Sequence, residues 1–172
     1  DYAIPNEVDL ILKKMGGTNL NAGTSFDYTV YYNSFPSNQI EKWMDVYVER
    51  FRNPVFRLFQ SELETVYEEK NMYSDNPMSA FSEMMYKECF GEHPYGRPIV
   101  GLTEHLKNPQ TSKMREFYNT YYVANNMTLI LVGDFNTEEV KPMIEEKFSV
   151  WRSGELPQQP EYKLPSFDEE VV

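Results

Sequence analysis

A change of hydrophobic period at Gly16-Gly17 constrains the fold of this chain more than any other feature. Before it, Val8, Ile11, Leu12 and Met15 recur at helical spacing from Asn6 to Met15. The glycine pair is a helix stop, because the residue after a last turn favours the left-handed backbone that glycine adopts most easily. After it, Thr18 to Phe35 is rich in Thr, Tyr and Val with a bend around Ser25 to Asp27, which predicts a hairpin of two strands. Pro36 ends the hairpin, and Ser37 is suited to cap a helix that runs through Ile40, Trp43, Met44 and Tyr47 to about Arg52. Helical periodicity then dominates. One helix should end near Asp75, since Pro77 disfavours helix in the residue before it, and others are predicted over Met78 to Cys89, Thr111 to Tyr122 and Thr137 to Phe148. Met127 to Val132 (MTLILV) reads as a buried strand. These elements predict an α+β fold, a mixed or antiparallel sheet with helices packed mainly on one face.

Composition narrows the class of molecule. The 172 residues are 41% hydrophobic and include thirteen Tyr and eleven Phe, enough to bury a core within one domain. Sixteen basic against 27 acidic residues leave a net charge of −11, which argues against nucleic acid or an anionic membrane as partner. Cys89 is the only cysteine, so an internal disulfide and a CxxC metal knuckle are both excluded. There is no apolar run long enough for a membrane span or signal peptide. The chain opens at Asp1 without an initiator Met and reads as a fragment whose targeting signals would lie outside it. Residues 1–152 are expected to be one partial domain. Residues 153–172, with Pro157, Pro160, Pro165 and an acidic end, read as a linker or tail toward the next domain. Between the helices, Gly91, Pro94, Gly96, Pro98 and Gly101 punctuate a loop of roughly twenty residues, longer than a compact domain usually keeps without a use.

The segment Ser61 to Pro77 carries the chemistry. At about 100° per residue, Val55, Leu58, Phe59, Leu63, Val66 and Tyr73 project onto one stripe, the expected core-facing side. Glu62 and Glu69 fall inside that stripe, two turns apart, whereas Glu64 and Glu68 project to the opposite face. A carboxylate on a buried face is costly unless a cation, a donor or a metal compensates it. The residues alone leave open whether that partner is a Lys or Arg or a metal. Lys70 projects to the same side, where an apolar residue would be expected.

Several stretches taken in order resemble the pitrilysin/insulinase family of zinc metallopeptidases, the group with the inverted HxxEH motif. They are GGTNLNAGTSFDYTVYY (Gly16 to Tyr32), ERFRNPVF (Glu49 to Phe56), ELETVYEEKNMYSDNP (Glu62 to Pro77), HPYGRPIVG (His93 to Gly101), FYNTYYVANNMTLILVGDF (Phe117 to Phe135) and FSVW (Phe148 to Trp151). YAIPNE at the start and RLFQSELETVYEEKN look most like a bacterial branch. The resemblance implies that Glu69 is the third zinc ligand, beside two histidines of HxxEH, and that Glu62 is an acidic residue supporting the site. Three protein ligands plus one water is the open coordination of catalytic zinc. It also implies that Leu20, Asn21, Ala22, Gly23 and Thr24 form an edge strand that holds substrate backbone by β-augmentation. By pattern alone that segment is an ordinary sheet strand, and Gly23 departs from the aromatic or branched residue often found there. The implied activity is hydrolysis of peptides or unfolded polypeptides. A second homologous domain or subunit would be the partner, in a bacterial compartment left open, with periplasm or cell envelope as candidates.

HxxEH itself occurs nowhere in the 172 residues. CFGEH (Cys89 to His93) offers cysteine, glutamate and histidine at a similar spacing, but Gly91 and Pro94 oppose the helix that paired i,i+4 ligands need. His105 reads as a surface or helix-end residue. The fragment alone is therefore expected to lack zinc and to be inactive, one carboxylate being too few to define the site. The competing expectation is a noncatalytic scaffold or binding homologue on the same fold. Reading the coding sequence immediately upstream of Asp1 separates the two. An HxxEH there is the expected result, and a version lacking either histidine would favour the scaffold.

Overall fold

The last turn of the first helix shows how the glycine pair acts. In the computed structural model, α1 (Glu7–Lys14) ends at Met15, and Gly16 takes φ +83° so that the Gly17 N–H reaches back to the Leu12 carbonyl at 2.8 Å. This is the Schellman arrangement. A Cβ at Gly17 would lie 2.7 Å from the same carbonyl oxygen, so no larger residue fits there without a backbone shift. The structure describes residues 6–56, 59–107 and 109–166. Tyr2 to Pro5 of the opening motif, Leu58 of the predicted stripe and the acidic end at 168–170 lie outside the described residues.

The predicted hairpin is present as an antiparallel pair, β1 (Thr18–Thr24) and β2 (Thr29–Ser34). Among the described residues six further helices follow: α2 (Ile40–Arg52), α3 (Phe59–Ser74), α4 (Pro77–Phe90), α5 (Thr103–Lys107), α6 (Thr111–Tyr121) and α7 (Thr137–Phe148). Contacts group the chain into two units. The first comprises 6–23, 30–56 and 110–157, and the second 24–29, 59–107 with 109, and 158–166.

In the first unit the amphipathic faces of α1, α2 and α7 meet around Leu12, Trp43, Met44, Tyr47 and Val140, all buried. The spacing of Ile40, Trp43, Met44, Tyr47 and Phe51 on α2 is the i, i+3, i+4 pattern that gives a helix one apolar face. The hairpin covers this core with one face only: Leu20 and Tyr31 pack inward, while Val30 and Tyr32 stay exposed. One half-buried acceptor fixes it there. Asn33 Oδ1 accepts from both Trp43 Nε1 (2.9 Å) and Tyr47 Oη (2.8 Å). A second polar link joins the Tyr31 and Tyr122 hydroxyls at 2.9 Å, and Tyr118 donates to the Phe51 carbonyl at 2.7 Å. Burial pushes the Tyr31 phenol well above its ordinary range, the Tyr122 hydrogen bond adding to the effect. Tyr118 is pushed up to about 12, again chiefly by burial.

Met127 to Val132 does not form the predicted buried strand. Met127 is extended (φ −119°, ψ 142°), and the run keeps a period of two, with Met127 and Leu131 turned inward. Ile130 and Val132 are exposed at 78% and 89%, and among the described residues the only sheet is the β1–β2 pair. A strand needs a ladder partner as well as an apolar sequence, and here the hairpin supplies none.

In the second unit, Asn76 caps α4 by accepting from the Met78 and Ser79 N–H groups, with Pro77 in the first turn. This is the arrangement that starts a helix immediately after another stops. Gly91, at φ +53°, ends α4. The predicted long loop beyond it is broken by a 3₁₀ turn at Pro94–Gly96 and by α5. Residues 153–166 carry no regular secondary structure.

Removing the shared acceptor should loosen the hairpin from α2. Asn33→Leu leaves the Trp43 and Tyr47 donors unpaired, at about 1–3 kcal/mol for a buried unsatisfied group. We expect a loss of about 2–4 kcal/mol in urea unfolding, and a loss below about 0.5 kcal/mol would show that water replaces the acceptor.

Candidate functional site

The α3 helix places its carboxylates differently from the sequence projection. Its inward face is Phe59, Leu63, Val66, Tyr67 and Lys70, whereas Glu62 and Glu69 are exposed, as are Glu64 and Glu68. The projected stripe passes through Val55, which is non-helical and 55% exposed. At 100° per residue, the residues found inward, Phe59, Leu63, Val66, Tyr67 and Lys70, centre about 50° away from the projected stripe, which moves Glu62 and Glu69 from inside the apolar stripe to its margin. Tyr73, near the end of the helix, is exposed as well. The desolvation argument for a partner to these carboxylates therefore falls away. Among the described residues no cation lies within ion-pair reach of either.

The charged group that α3 does bury is Lys70, with 8% of its surface exposed. Its ammonium meets Glu83 Oε1 on α4 at 3.0 Å, so the residue that broke the apolar pattern ties the two helices together. Glu62 and Glu69, two turns apart, stand about 10 Å from one another along the axis at 1.5 Å per residue.

The β1 strand presents its edge through the register of the hairpin. The Ser25 N–H donates to the Tyr28 carbonyl at 2.8 Å, and the hydroxyls of Thr24 and Thr29 lie 3.4 Å apart. A Cβ at Gly23 would meet Val30 at 3.9 Å. Thr24 therefore faces Thr29, Ala22 faces Tyr31 and Leu20 faces Asn33. Antiparallel strands alternate between pairs that exchange hydrogen bonds and pairs whose amides point outward. With Ser25 directed at β2, the N–H and C=O groups of Thr24, Ala22 and Leu20 point away from it. Of these outward donors, the Ala22 N–H is already occupied, donating to Asn21 Oδ1 at 2.8 Å. Leu20 is half-buried by its side chain, and Asn21, Ala22, Gly23 and Thr24 are exposed.

The two histidines do not form a metal centre with their neighbours. His93 Nδ1 accepts from the Tyr95 N–H at 3.1 Å, and the ring packs edge-on against Tyr95 and Tyr162 at centroid distances of 4.8 and 5.0 Å. Cys89 is on α4 while His93 follows the break at Gly91, so CFGEH does not place both on one helical face. Among the described residues no three His, Cys, Asp or Glu side chains are grouped closely enough to hold a metal ion. The sequence reading missed a tie in the same unit. Tyr95 donates to Asp27, and Phe26 stacks on Tyr95 at 4.5 Å, so aromatic residues of HPYG hold the turn of the hairpin. The only signal available was the density of aromatics in both segments.

The fold is that of a metallopeptidase-type domain. Residues 2–103 match the family model described as insulinase (peptidase family M16), and residues 110–172 match the one described as the peptidase M16 inactive domain. The chain belongs to this family, and the pitrilysin/insulinase resemblance holds. An uncharacterized zinc protease of Mycobacterium leprae is 28% identical over 134 residues, 77% of this chain and 30% of the relative. The zinc protease PqqE of Helicobacter pylori is 27% identical over 145 residues, 83% of this chain and 32% of the relative. Among solved structures, a protease from Helicobacter pylori superposes with a TM-score of 0.84 at 26% identity, covering 92% of this chain and 40% of that one. The first half of the periplasmic protease PqqL from Escherichia coli gives 0.80 at 22%, covering 94% and 36%, a likeness of fold. The chain thus spans about a third of the length of the curated relatives it matches. No helix among the described residues is long and apolar enough to cross a membrane.

The Lys70–Glu83 pair gives an asymmetric test of the helix that carries Glu62 and Glu69. Breaking a buried pair from one side strands a charge, whereas replacing the buried member by an apolar residue of similar length does not. Glu83 is 43% exposed at its side chain, so solvent screens part of the effect. Glu83→Gln should cost about 1 kcal/mol in thermal or urea unfolding and Lys70→Met should cost less. The reverse order would show that the ion pair itself holds α3 on α4.

Proposed function

We propose that this chain is part of a zinc-dependent endopeptidase that hydrolyses peptides or unfolded polypeptides. The reading rests on the family match over residues 2–103 combined with one structural observation: Glu69 is exposed on α3 with no ion-pair partner among the described residues. A free carboxylate of this kind suits zinc, which takes carboxylate oxygen alongside histidine nitrogen. The fit is partial, since the described residues supply this one ligand and the two histidines of HxxEH are not among the 172 residues. Zinc, when bound, lowers the pKa of its water and polarises the scissile carbonyl. This chain's own part is to hold that ion at Glu69, to support the site through Glu62, and to present substrate on β1. There Leu20, Ala22 and Thr24 offer outward amides to an extended peptide, with Asn21 and Gly23 between them. A β-strand donor surface recognises backbone rather than sequence, which fits a peptidase acting on unfolded chains. A second homologous domain or subunit would close the site from the other side, and the larger size of the relatives supports this.

A noncatalytic homologue on the same fold is the second reading. It is favoured by the match of residues 110–172 to a model described as inactive.

Glu69→Gln in the full-length protein separates the two. Loss of bound zinc by elemental analysis, together with loss of peptide cleavage and a cooperative unfolding transition unchanged from wild type, is the expected result. Unchanged zinc stoichiometry would rule out the ligand role. Glu62→Gln should weaken zinc retention or activity about 10- to 100-fold, the range for residues that support a metal ligand.

A further inference from the structure

We propose that Asn21 is a removable stopper on the β1 edge, holding the Ala22 N–H until an incoming peptide carbonyl displaces it. The inference rests on the reading of β1 as the peptide-binding strand and assigns the control of that strand to one side chain. Three outward amides line the free edge, those of Leu20, Ala22 and Thr24, and the central one is already satisfied at 2.8 Å by the side chain of the residue before it. The geometry follows from the register. Asn21 stands opposite Tyr32 in a pair whose backbone bonds point toward β2, so its side chain is free to turn back along the outer edge and reach the next amide.

Such a contact serves an exposed strand in two ways. An unguarded row of donors and acceptors templates pairing with any other strand, including a second copy of the same chain, and natural edges carry devices against this. A covalently attached acceptor competes at high effective concentration with every partner, so a weak or short strand fails to displace it. A peptide that also fills neighbouring positions along Leu20 to Thr24 recovers the exchanged hydrogen bond from its other contacts. The ligand class is therefore an extended polypeptide of several residues, and the stopper discriminates by length of pairing rather than by side chain. The amide of Asn21 is released to solvent when the peptide binds, so no buried group is left unpaired.

The test uses the full-length protein and a fluorescein-labelled, unstructured decapeptide of alternating valine and serine. In the peptide-free protein, Asn21→Ala should speed hydrogen exchange in the segment 20–24. The same variant should tighten decapeptide binding about fivefold, the worth of one net hydrogen bond. Asn21→Asp keeps an acceptor at the same reach and should restore both slow exchange and wild-type affinity. Ala22→Pro removes the contested donor at a position outside the β1–β2 ladder, where an edge strand tolerates proline, and should weaken binding. Decapeptide affinity unchanged by Ala22→Pro would overturn the reading of β1 as the peptide strand and the stopper with it. Weaker binding by Ala22→Pro, accompanied by unchanged or weaker binding in Asn21→Ala, would overturn the stopper alone and leave β1 as the binding strand.

Discussion

The first unit depends on the oxygen of Asn33, which takes two hydrogen bonds at once. A two-stranded hairpin is at best marginally stable by itself, and its covered face here offers only Leu20 and Tyr31 to the core. What converts that contact into a fixed position is the pair of donors from Trp43 and Tyr47, one turn apart on α2, converging on a single acceptor in β2. Two donors on one rigid helix permit one placement of Asn33, and the placement of Asn33 sets the register of everything across from it. The outward direction of the Leu20, Ala22 and Thr24 amides is thus decided on the buried side of the sheet. Apolar packing supplies the stabilisation, and the polar contact supplies the alignment.

Much of this was legible in the sequence because it rests on local rules. The Gly16-Gly17 stop, the bend at Ser25 to Asp27, the break before Pro77 and the end of α4 beside Gly91 all follow from backbone preferences of one or two residues, and all appear within a residue or two of the expected places. What failed depended on partners. MTLILV has the composition of a strand and even keeps its period of two, yet pairing is decided by another segment, and a one-dimensional pattern does not contain that segment. Asn33 gave no signal either, since an asparagine in a strand reads as ordinary surface until the two donors of α2 are known to face it.

The α3 helix illustrates a subtler failure. A projection is only as good as the residues it includes, because each one wrongly included or left out turns the inferred face. Including Val55 and Tyr73, and leaving out Tyr67 and Lys70, carried the stripe toward Glu62 and Glu69 and so made the carboxylates look buried. From Phe59 on, the inward face centres on Lys70, which stands out of the apolar pattern as an irregularity. The correction changes what supports the proposed role of Glu69. An exposed carboxylate needs no compensating cation to exist, so burial no longer points to a metal, and the case rests on family membership together with the carboxylate's freedom to bind. That freedom has its own physical sense. A ligand already paired to a lysine would have to break that pair before taking an ion, whereas an unpaired one loses only its hydration.

Anchoring groups and proposed working groups therefore separate within each unit. Asn33 is held among the donors of α2, and Lys70 is buried at the junction of α3 with α4, whereas Asn21, Ala22, Glu62 and Glu69 are exposed and contribute no side chain to either anchor. Substitutions at exposed positions without such contacts usually change stability by less than about 0.5 kcal/mol. Binding and folding can then be varied almost independently at these positions, because the strand edge and the helix face are held by residues outside the proposed binding surfaces. The exception is the turn of the hairpin. Phe26 and Asp27 pack and hydrogen-bond to Tyr95 immediately beyond Thr24, so the far end of the proposed binding strand is tied to the loop that follows α4. A change in that loop would reach Thr24, the last residue of the strand and a member of the same unit, so at that residue structural support and the proposed substrate surface are coupled.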